Sequence, residues 1–542
     1  MRITSLEGEV RMRGTTVASM ALSALGLCAA VPARAGGFEV PENGSVALGR
    51  GGAVVARASD PSTMATNVAG LVALPGFQVS LGVSVPALSQ CFTRAGRYDG
   101  AWNNTLVSTN GTTFSGSNYA TAGASYPRVC NEPVPGVLPQ LLASYRFGEK
   151  VAVGLGFYPP STVGTKQFPR AVSADLPSGA GTGSVAAPGP ERYMLLRSEG
   201  LILYPTIAVA WAPIRWLRVG AAFQPSFARV QALNYANASG GQSPSADVIV
   251  NLDVQGVFFA GNLGVQIVPH PNWSFGAHVH LSQTPHLRGT ATQTLNPYTS
   301  DPATRVAFGA KPDNSEVDFV LPPVQARVGA RYALPRADGV KQTEDSPERA
   351  YDPMRDDVLD VELDLIYEAA GANQYFHVTN SSPDANFSYP RSTCPNALPS
   401  GAGITTDACL PRYWKDVVGL RLGADVNVVP DWLALRAGLS LETGAQSTRG
   451  ANLDALGQDT LGVHIGATLR PRPWLSVHLA YAHYFMRDLD ATDGELSTLT
   501  LGGTVKPEQC AQARFGADAC TDNRGLFQAH LDMFNLGATA RF

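Results

Sequence analysis

The residues best placed to do chemistry lie in the second half of the chain. Arg327 and Arg331 are followed by Asp360, Glu362, Asp364 and Glu368, then by Arg421 and Arg436, with apolar residues between them. In an extended chain successive side chains point to opposite faces, so the even spacing within each group puts its charges on one face. Two chemistries suit such an array. The basic residues Arg327, Arg331, Arg421 and Arg436 could anchor the carboxylate of a ligand, or acids and bases on neighbouring strands could brace a wall as ion pairs, which their alternation between segments favours. His278 and His280 set two imidazoles on one strand face, close enough for a metal, but no third ligand is evident and no metal is expected. The chain has no G-x-S-x-G elbow, P-loop or zinc-protease motif, so neither a catalytic residue nor a cofactor is expected. A net charge of −4 offers no basic footprint for nucleic acid.

These residues need strands to carry them, and the sequence supplies them. Leu433, Leu435, Ala437, Leu439 and Leu441 alternate with Ala434, Arg436, Gly438, Ser440 and Glu442. Leu359 to Glu368, Val418 to Val426 and Phe534 to Phe542 follow the same period of two, the signature of a strand with one apolar face. The pattern predicts strands at 77–85, 139–147, 150–158, 194–211, 216–230, 247–268, 273–283, 315–333, 357–369, 416–428, 432–442, 459–469, 474–486 and 526–542. Fourteen is even, as a single-chain barrel with both ends on one side requires. Charged residues make up only 15% of the chain, against roughly 25% in soluble proteins, and no apolar run after residue 35 approaches a membrane-spanning helix. A closed barrel crosses a bilayer by pairing every backbone group between strands. The expected fold is all-β, a transmembrane antiparallel β-barrel.

The connections alternate between short and long. Turns at Gly148-Glu149, 212–215, 269–272, 429–431 and 471–473 are tight, and four of them lead into Trp216, Trp273, Trp432 and Trp474, a placement that suits an interfacial aromatic girdle. The connection 334–356 is a longer, charged exception on the same side. Residues 1–35 read as a signal peptide: basic at Arg2, Arg11 and Arg13, apolar from Thr15 to Ala30, and ending in Ala33-Arg34-Ala35. Six cysteines follow it. They permit 15 pairings but fall into the couples Cys91–Cys130, Cys394–Cys409 and Cys510–Cys520, each within one long loop. Disulfides in an exported chain place the long loops outside the cell and the short turns in the periplasm of a bacterial outer membrane. The domain plan is therefore a signal peptide (1–35), an N-terminal segment (36–75) and a barrel (76–542).

The N-terminal segment carries a resemblance. Gly37-Phe38-Glu39, Ala47-Leu48-Gly49-Arg50-Gly51-Gly52-Ala53, Ala58-Ser59-Asp60 and Asn67-Val68-Ala69-Gly70-Leu71 resemble the N-terminal signature of the FadL/TodX family, outer-membrane transporters of long-chain fatty acids and aromatic hydrocarbons. Val68 stands where that family usually has proline. The stretch from Val153 to Pro160 is similar to the family's third strand. The resemblance implies that residues 36–75 form a hatch inside the barrel, with Phe38, Asn67, Ala69, Gly70 and Leu71 on the substrate path, together with Val40 and Leu74. It also implies a kink in the third strand at Gly154, Gly156, Pro159 and Pro160 that opens a lateral gap, since proline lacks a donor and glycine permits bulges. The function expected is passive uptake of hydrophobic compounds, above all long-chain fatty acids, by a monomer in contact with outer-membrane lipid. Its last strand, ending at Phe542, would be read by the barrel-assembly machinery. A hydrophilic porin, or an adhesin acting through the long loops, are the alternatives.

Overall fold

The computed structural model describes residues 43–542 apart from loop positions within 99–124, 133, 160–164, 176–183, 238–246, 296–306, 309–314, 320, 343–349, 373, 382–404, 456, 497–498, 501–502 and 505–520. The expected signal peptide (1–35), Phe38, Val40, Pro160, Cys394, Cys510 and Cys520 lie outside the described residues.

Fourteen strands form the wall: β1 Phe77–Arg94, β2 Leu138–Phe147, β3 Val151–Tyr158, β4 Arg197–Ile214, β5 Leu217–Asn237, β6 Asp247–His270 and β7 Trp273–Ser282, then β8 Val324–Pro335, β9 Asp357–Glu368, β10 Val417–Val429, β11 Leu433–Glu442, β12 Thr460–Arg472, β13 Leu475–Met486 and β14 Gly525–Arg541. Each pairs antiparallel with its sequence neighbour. The sheet closes where β1 meets β14, in register from Gln78↔Arg541 to Arg94↔Gly525. Phe542 seals the seam: its N–H donates to the Phe77 carbonyl at 2.8 Å, and the two rings stack with centroids 5.9 Å apart. Closure gives every wall strand a partner on both sides, the form in which a β-sheet can enter hydrocarbon.

The outer surface confirms which face the alternation assigns to lipid. Leu81, Leu155, Ile207, Phe223, Val257, Leu365, Ile465, Leu479 and Leu536 all point outward and are half exposed or more. A continuous apolar belt around a protein far exceeds the patch of a few hundred Å² that a soluble monomer tolerates. Trp216, Trp273, Trp432 and Trp474 are exposed at the short-turn end, where an indole can sit at headgroup depth.

Several strand boundaries differ from the sequence expectation: β5 runs seven residues past its expected end at 230, and two further differences have a local cause. The strand expected at 315–333 is two pieces: Ser315–Asp318 belongs to an outer sheet, and β8 begins at Val324, after Pro322-Pro323. Two prolines in succession remove two ladder donors and break the strand. β1 runs nine residues past its expected end at 85, through Pro86 to Arg94. Its pairing to β2 stops at Ser84, so Pro86 sits at an edge that tolerates a missing donor. Beyond the wall, at the long-loop end, His286–Leu295, Ser315–Asp318, Tyr375–Ser381 and Thr405–Pro411 extend the sheet outward, each pairing with the next.

Cys91 and Cys130 are bonded, and they pair directly across two strands. Cys409 is also disulfide-bonded. The Cys91–Cys130 bond closes a loop with a sequence separation of 39, which by chain entropy is worth about 4 kcal/mol. Because the bond joins β1 to Val129–Cys130 on the edge away from β14, beyond the end of the β1–β2 ladder at Ser84, Cys91→Ser should leave the folded barrel's shifted gel mobility intact. Limited proteolysis should then cut between residues 95 and 130 several times faster than in the parent.

Candidate functional site

Residues 43–75 are built to lie against the inner faces of the wall. The segment has two one-turn helices, Ser45–Gly49 and Thr63–Thr66, and a 3-10 turn, Val68–Ala73. Gly51 and Gly52 take φ +65° and +82°, a reversal that side chains rarely adopt. Asn67 is the local organiser. Its Oδ1 accepts from Ala69 N at 3.2 Å, capping the 3-10 turn, while its Nδ2 donates to the carbonyls of Val55 (2.6 Å) and Val265 on β6 (3.0 Å). Gly70 is forced by space, since a Cβ there would lie 2.9 Å from the Ala58 Cβ and overlap Thr63.

One flank of the segment is held by charge. The Arg50 guanidinium, fully buried, bridges Asp360 of β9 at 2.8 Å and Asp425 of β10 at 2.7 Å. Arg57 pairs with the same two acids. Asp364 accepts the backbone N–H groups of Val54 and Val55 at 2.9 and 3.0 Å, and Glu362 accepts that of Ala56 at 2.6 Å. The acids of β9 therefore hold a backbone as well as cations. Hydrogen bonds to a charged group are worth roughly twice neutral ones.

The opposite flank is apolar. Met64, Val68, Leu71, Val72 and Leu74 begin a continuous buried cluster that climbs the inner face of β2–β6 through Leu142, Tyr158, Ile202, Tyr204, Phe258 and Ala260. It continues through Leu252 and Val254 of β6 to Leu287, Ala291 and Val317 of the outer strands and to Phe319 and Leu321 beside them. One polar belt crosses this column. Gln224 donates to Tyr158 Oη at 2.8 Å and to Thr206 Oγ1 at 3.0 Å, Asn262 donates to Met64 O at 3.1 Å, and His280 Nδ1 lies 2.7 Å from Asn262 Oδ1. The belt ties the segment's helix Thr63–Thr66 to the wall through neutral groups alone.

The column passes the end of β3. That strand pairs with β2 and β4 without a register shift up to Tyr158, through Gly154 and Gly156, so the ladder stops at Pro159 and not at either glycine. A Cβ at Gly156 would lie 2.7 Å from the Leu142 Cα, which makes glycine obligatory there for close strand approach. β4 continues upward and next pairs at Ser198↔Lys166, so on this flank its residues 199–203 have no strand partner among the described residues.

At the long-loop end the buried turn after Ser184–Pro188 holds an unusual acid. Neither carboxyl oxygen of Glu191 has a hydrogen-bond partner outside its own residue, and burial pushes its carboxyl up to about 8, opposed only in part by its own backbone N–H and by Arg192 and Arg94. An acid raised in the folded state stabilises fully below its ordinary value near 4.5, and that contribution is lost as pH rises toward about 8. The loop cap should therefore be cut more readily by protease at pH 8.5 than at pH 5. Glu191→Gln should flatten that difference; an unchanged pH dependence in the variant would remove Glu191 as its cause.

No protein-family model matches the chain, and no curated protein matches it. Solved structures do. A Pseudomonas aeruginosa FadL homologue superposes with a TM-score of 0.61 at 12% identity, over 94% of this chain and 100% of the other. The Ralstonia pickettii toluene transporter TbuX gives 0.56 at 15% identity, over 93% and 99%. The Pseudomonas putida toluene transporter TodX gives 0.55 at 14%, again over 93% and 99%. The fold is that of the FadL and TodX barrels.

Within this FadL-like barrel the residues singled out from sequence fall in three places. Asn67, Ala69, Gly70 and Leu71 stand together at the 3-10 turn, against β5 and β6. Gly154, Gly156 and Pro159 line the end of β3. The arginines lie across the interior from the apolar column and are already engaged: Arg331 with Asp357 (2.8 Å) and Asp360 (3.2 Å), Arg436 with Asp425 (3.0 Å), Arg421 with Glu442, while Arg327 is buried on β8 opposite His278. His278 and His280 both face inward and are buried. Among the described residues no cluster could hold a metal ion.

Sequence reasoning missed a ring of glycines. Gly154, Gly220, Gly264, Gly276, Gly329, Gly423, Gly438, Gly466 and Gly537 sit on nine different strands, and a Cβ at each would collide with residues 45–71 or, at Gly329, with both Val55 and Asp364. The signal was present. In each strand the glycine is flanked by two apolar residues, as in Leu263-Gly264-Val265 and Phe275-Gly276-Ala277.

Proposed function

We infer that this protein is a bacterial outer-membrane channel for passive uptake of hydrophobic compounds, with long-chain fatty acids as the favoured cargo. Residues 36–75 serve as its hatch. The observation that carries this reading is the buried apolar column, which joins the outer sheet to the hatch and passes the end of β3. A hydrophobic solute gains roughly 25 cal/mol for each Å² of apolar surface it takes out of water, so a graded apolar path draws it in without an energy source. Beside β3 the wall loses its ladder at Pro159, and that flank is the proposed lateral exit into the outer leaflet. A long apolar chain matches the chemistry of the column; the paired arginines Arg331, Arg421 and Arg436 are not needed to hold it.

Expression in cells lacking their own fatty-acid transporter tests the reading. Uptake of labelled oleate should be restored, and native mass spectrometry of the detergent-purified barrel should find retained lipid or hydrocarbon. Free passage of ions through the intact protein in a planar bilayer would overturn it in favour of a hydrophilic porin.

A further inference from the structure

We propose that residues 350–356 are a second closure, a strap across the periplasmic mouth that keeps the lumen shut even when the hatch is gone. That this mouth faces the periplasm rests on the outer-membrane reading above.

Connections at the short-turn end are tight except the one between β8 and β9. After β8 the chain doubles back on itself: Arg336 N donates to the Asp356 carbonyl at 2.7 Å, and Val340 N to the Asp356 carboxylate at 3.3 Å. Gln342 Nε2 ties it to the β6–β7 turn at Pro271 O, 2.7 Å away. Residues 350–356 then cross beneath the hatch and are gripped from several walls. The Tyr351 hydroxyl meets Asp357 of β9 and, at 3.2 Å, Arg331 of β8, with Arg218 of β5 in electrostatic reach. Its neighbour Asp352 is taken by Arg470 of β12 at 2.7 Å, and Arg541 of β14 lies in electrostatic reach of the same carboxylate.

β5 and β12 stand seven strands apart in a ring of fourteen, so two arginines from opposite walls reach adjacent residues of the strap. The next turn is fixed as well. Asp352 caps the one-turn helix Pro353–Asp356 by accepting from Met354 N at 3.0 Å, and Asn427 of β10 donates to Pro353 O at 2.8 Å. The Asp431 N–H, in the β10–β11 turn, reaches Met354 O at 3.3 Å. Met354 and Asp356 are buried although both lie in a loop. A loop at the rim of an open pore would be solvated on both sides; this one has buried side chains and paired charges.

The strap also fixes a direction. Cargo descending past the hatch would meet Asp352, Arg470, Arg331 and Asp357, a floor of matched charges. Exit through the floor would need an apolar solute to part ion pairs, whereas the flank beside β3 asks for no such step.

Single-channel conductance in planar bilayers tests the strap. Four proteins are compared: the parent, a barrel lacking residues 36–75, a barrel in which residues 336–356 are replaced by a short glycine-containing turn, and the double variant. Each single variant should stay near the parent's low conductance, and the double should rise by roughly tenfold or more, the step from a blocked lumen to a water-filled one. Full opening on removal of the hatch alone would overturn the proposal. Hydrogen exchange on the intact protein keeps the test decisive if the double variant does not fold. The amides of Arg355 and Asp356 should be protected to the level of the wall strands, and exchange at open-loop rates would equally overturn it. Conductance needs no cargo, so loss of oleate uptake with the expected conductances would remove the transport reading and leave the strap standing.

Discussion

Arg50→Ala should release the front of the hatch and lower the barrel's stability in detergent by about 3–5 kcal/mol, the range for breaking a buried ion pair by removing one partner. The size follows from what is left behind. Asp360 and Asp425, each fully buried, would lose one guanidinium that bridges them, leaving Arg57 to span both beside Arg331 on Asp360 and Arg436 on Asp425. The backbone carbonyl of Ala53, which accepts from Arg50 Nε at 2.9 Å, would lose its donor too. Arg50→Met in an Asp360→Leu background removes a cation and an anion together and should recover part of the loss, because a buried pair replaced by apolar groups of like volume is often neutral. Urea unfolding in detergent, followed by tryptophan emission, reads the stability. Hydrogen exchange across residues 45–57 reads the release, and unchanged protection there would show that the charges do not hold the hatch.

The prediction bears on how much of this site the sequence made legible. The acids on β9 and the arginines on β8, β10 and β11 were visible as inward-facing charges, because period-two alternation is a local property of a strand. Their partners were not. Arg50 and Arg57 lie some 300 residues from Asp360, and nothing local marks them as cations that enter the ring and neutralise its acids. The alternation also located the fourteen wall strands. It failed at 315–333 because an outer sheet has the same period as a wall, and only the prolines at 322 and 323 divide them. The apolar column was invisible for a related reason. On β4 the residues Leu201 to Tyr204 are apolar on both faces and offer no alternation to read, and on β6 the inward Leu252 and Val254 alternate with outward Asn251, Asp253 and Gln255, the reverse of the apolar-out pattern of the wall. The N-terminal resemblance rested on residues whose reasons are now physical: Asn67 as a cap and tie, Gly70 as a space requirement, Gly51 and Gly52 as a reversal.

The two flanks of the proposed hatch are held in different ways. The front, residues 45–57, is fixed to β9 and β10 by buried charges and carboxylate-to-backbone bonds. The rear, residues 63–74, meets the wall through apolar packing and the neutral belt of Gln224, Asn262 and Tyr158, contacts that can be remade without separating ions. Should the hatch shift as cargo passes, the rear is the part free to do so, and it borders both the column and the end of β3.

Gly276→Val separates the wall from the hatch by the sign of its effect. In a bare strand, valine is favoured over glycine by up to about 1 kcal/mol, so the wall alone should gain stability. With the hatch in place the new Cβ would overlap the Val55 carbonyl and lie 2.8 Å from the Ala56 nitrogen. Both are backbone atoms with no rotamer to escape into, and overpacking of this kind costs about 1–3 kcal/mol. The displaced carbonyl also accepts from Asn67 Nδ2, which links the strain to the 3-10 turn and on to Leu71. The expected result is therefore a destabilised intact protein, with faster exchange at Ala69–Leu71, and a neutral or stabilised barrel when residues 36–75 are absent. Equal shifts of the same sign in both proteins would mean that the glycines serve the strands themselves and that the ring does not exist to receive the hatch.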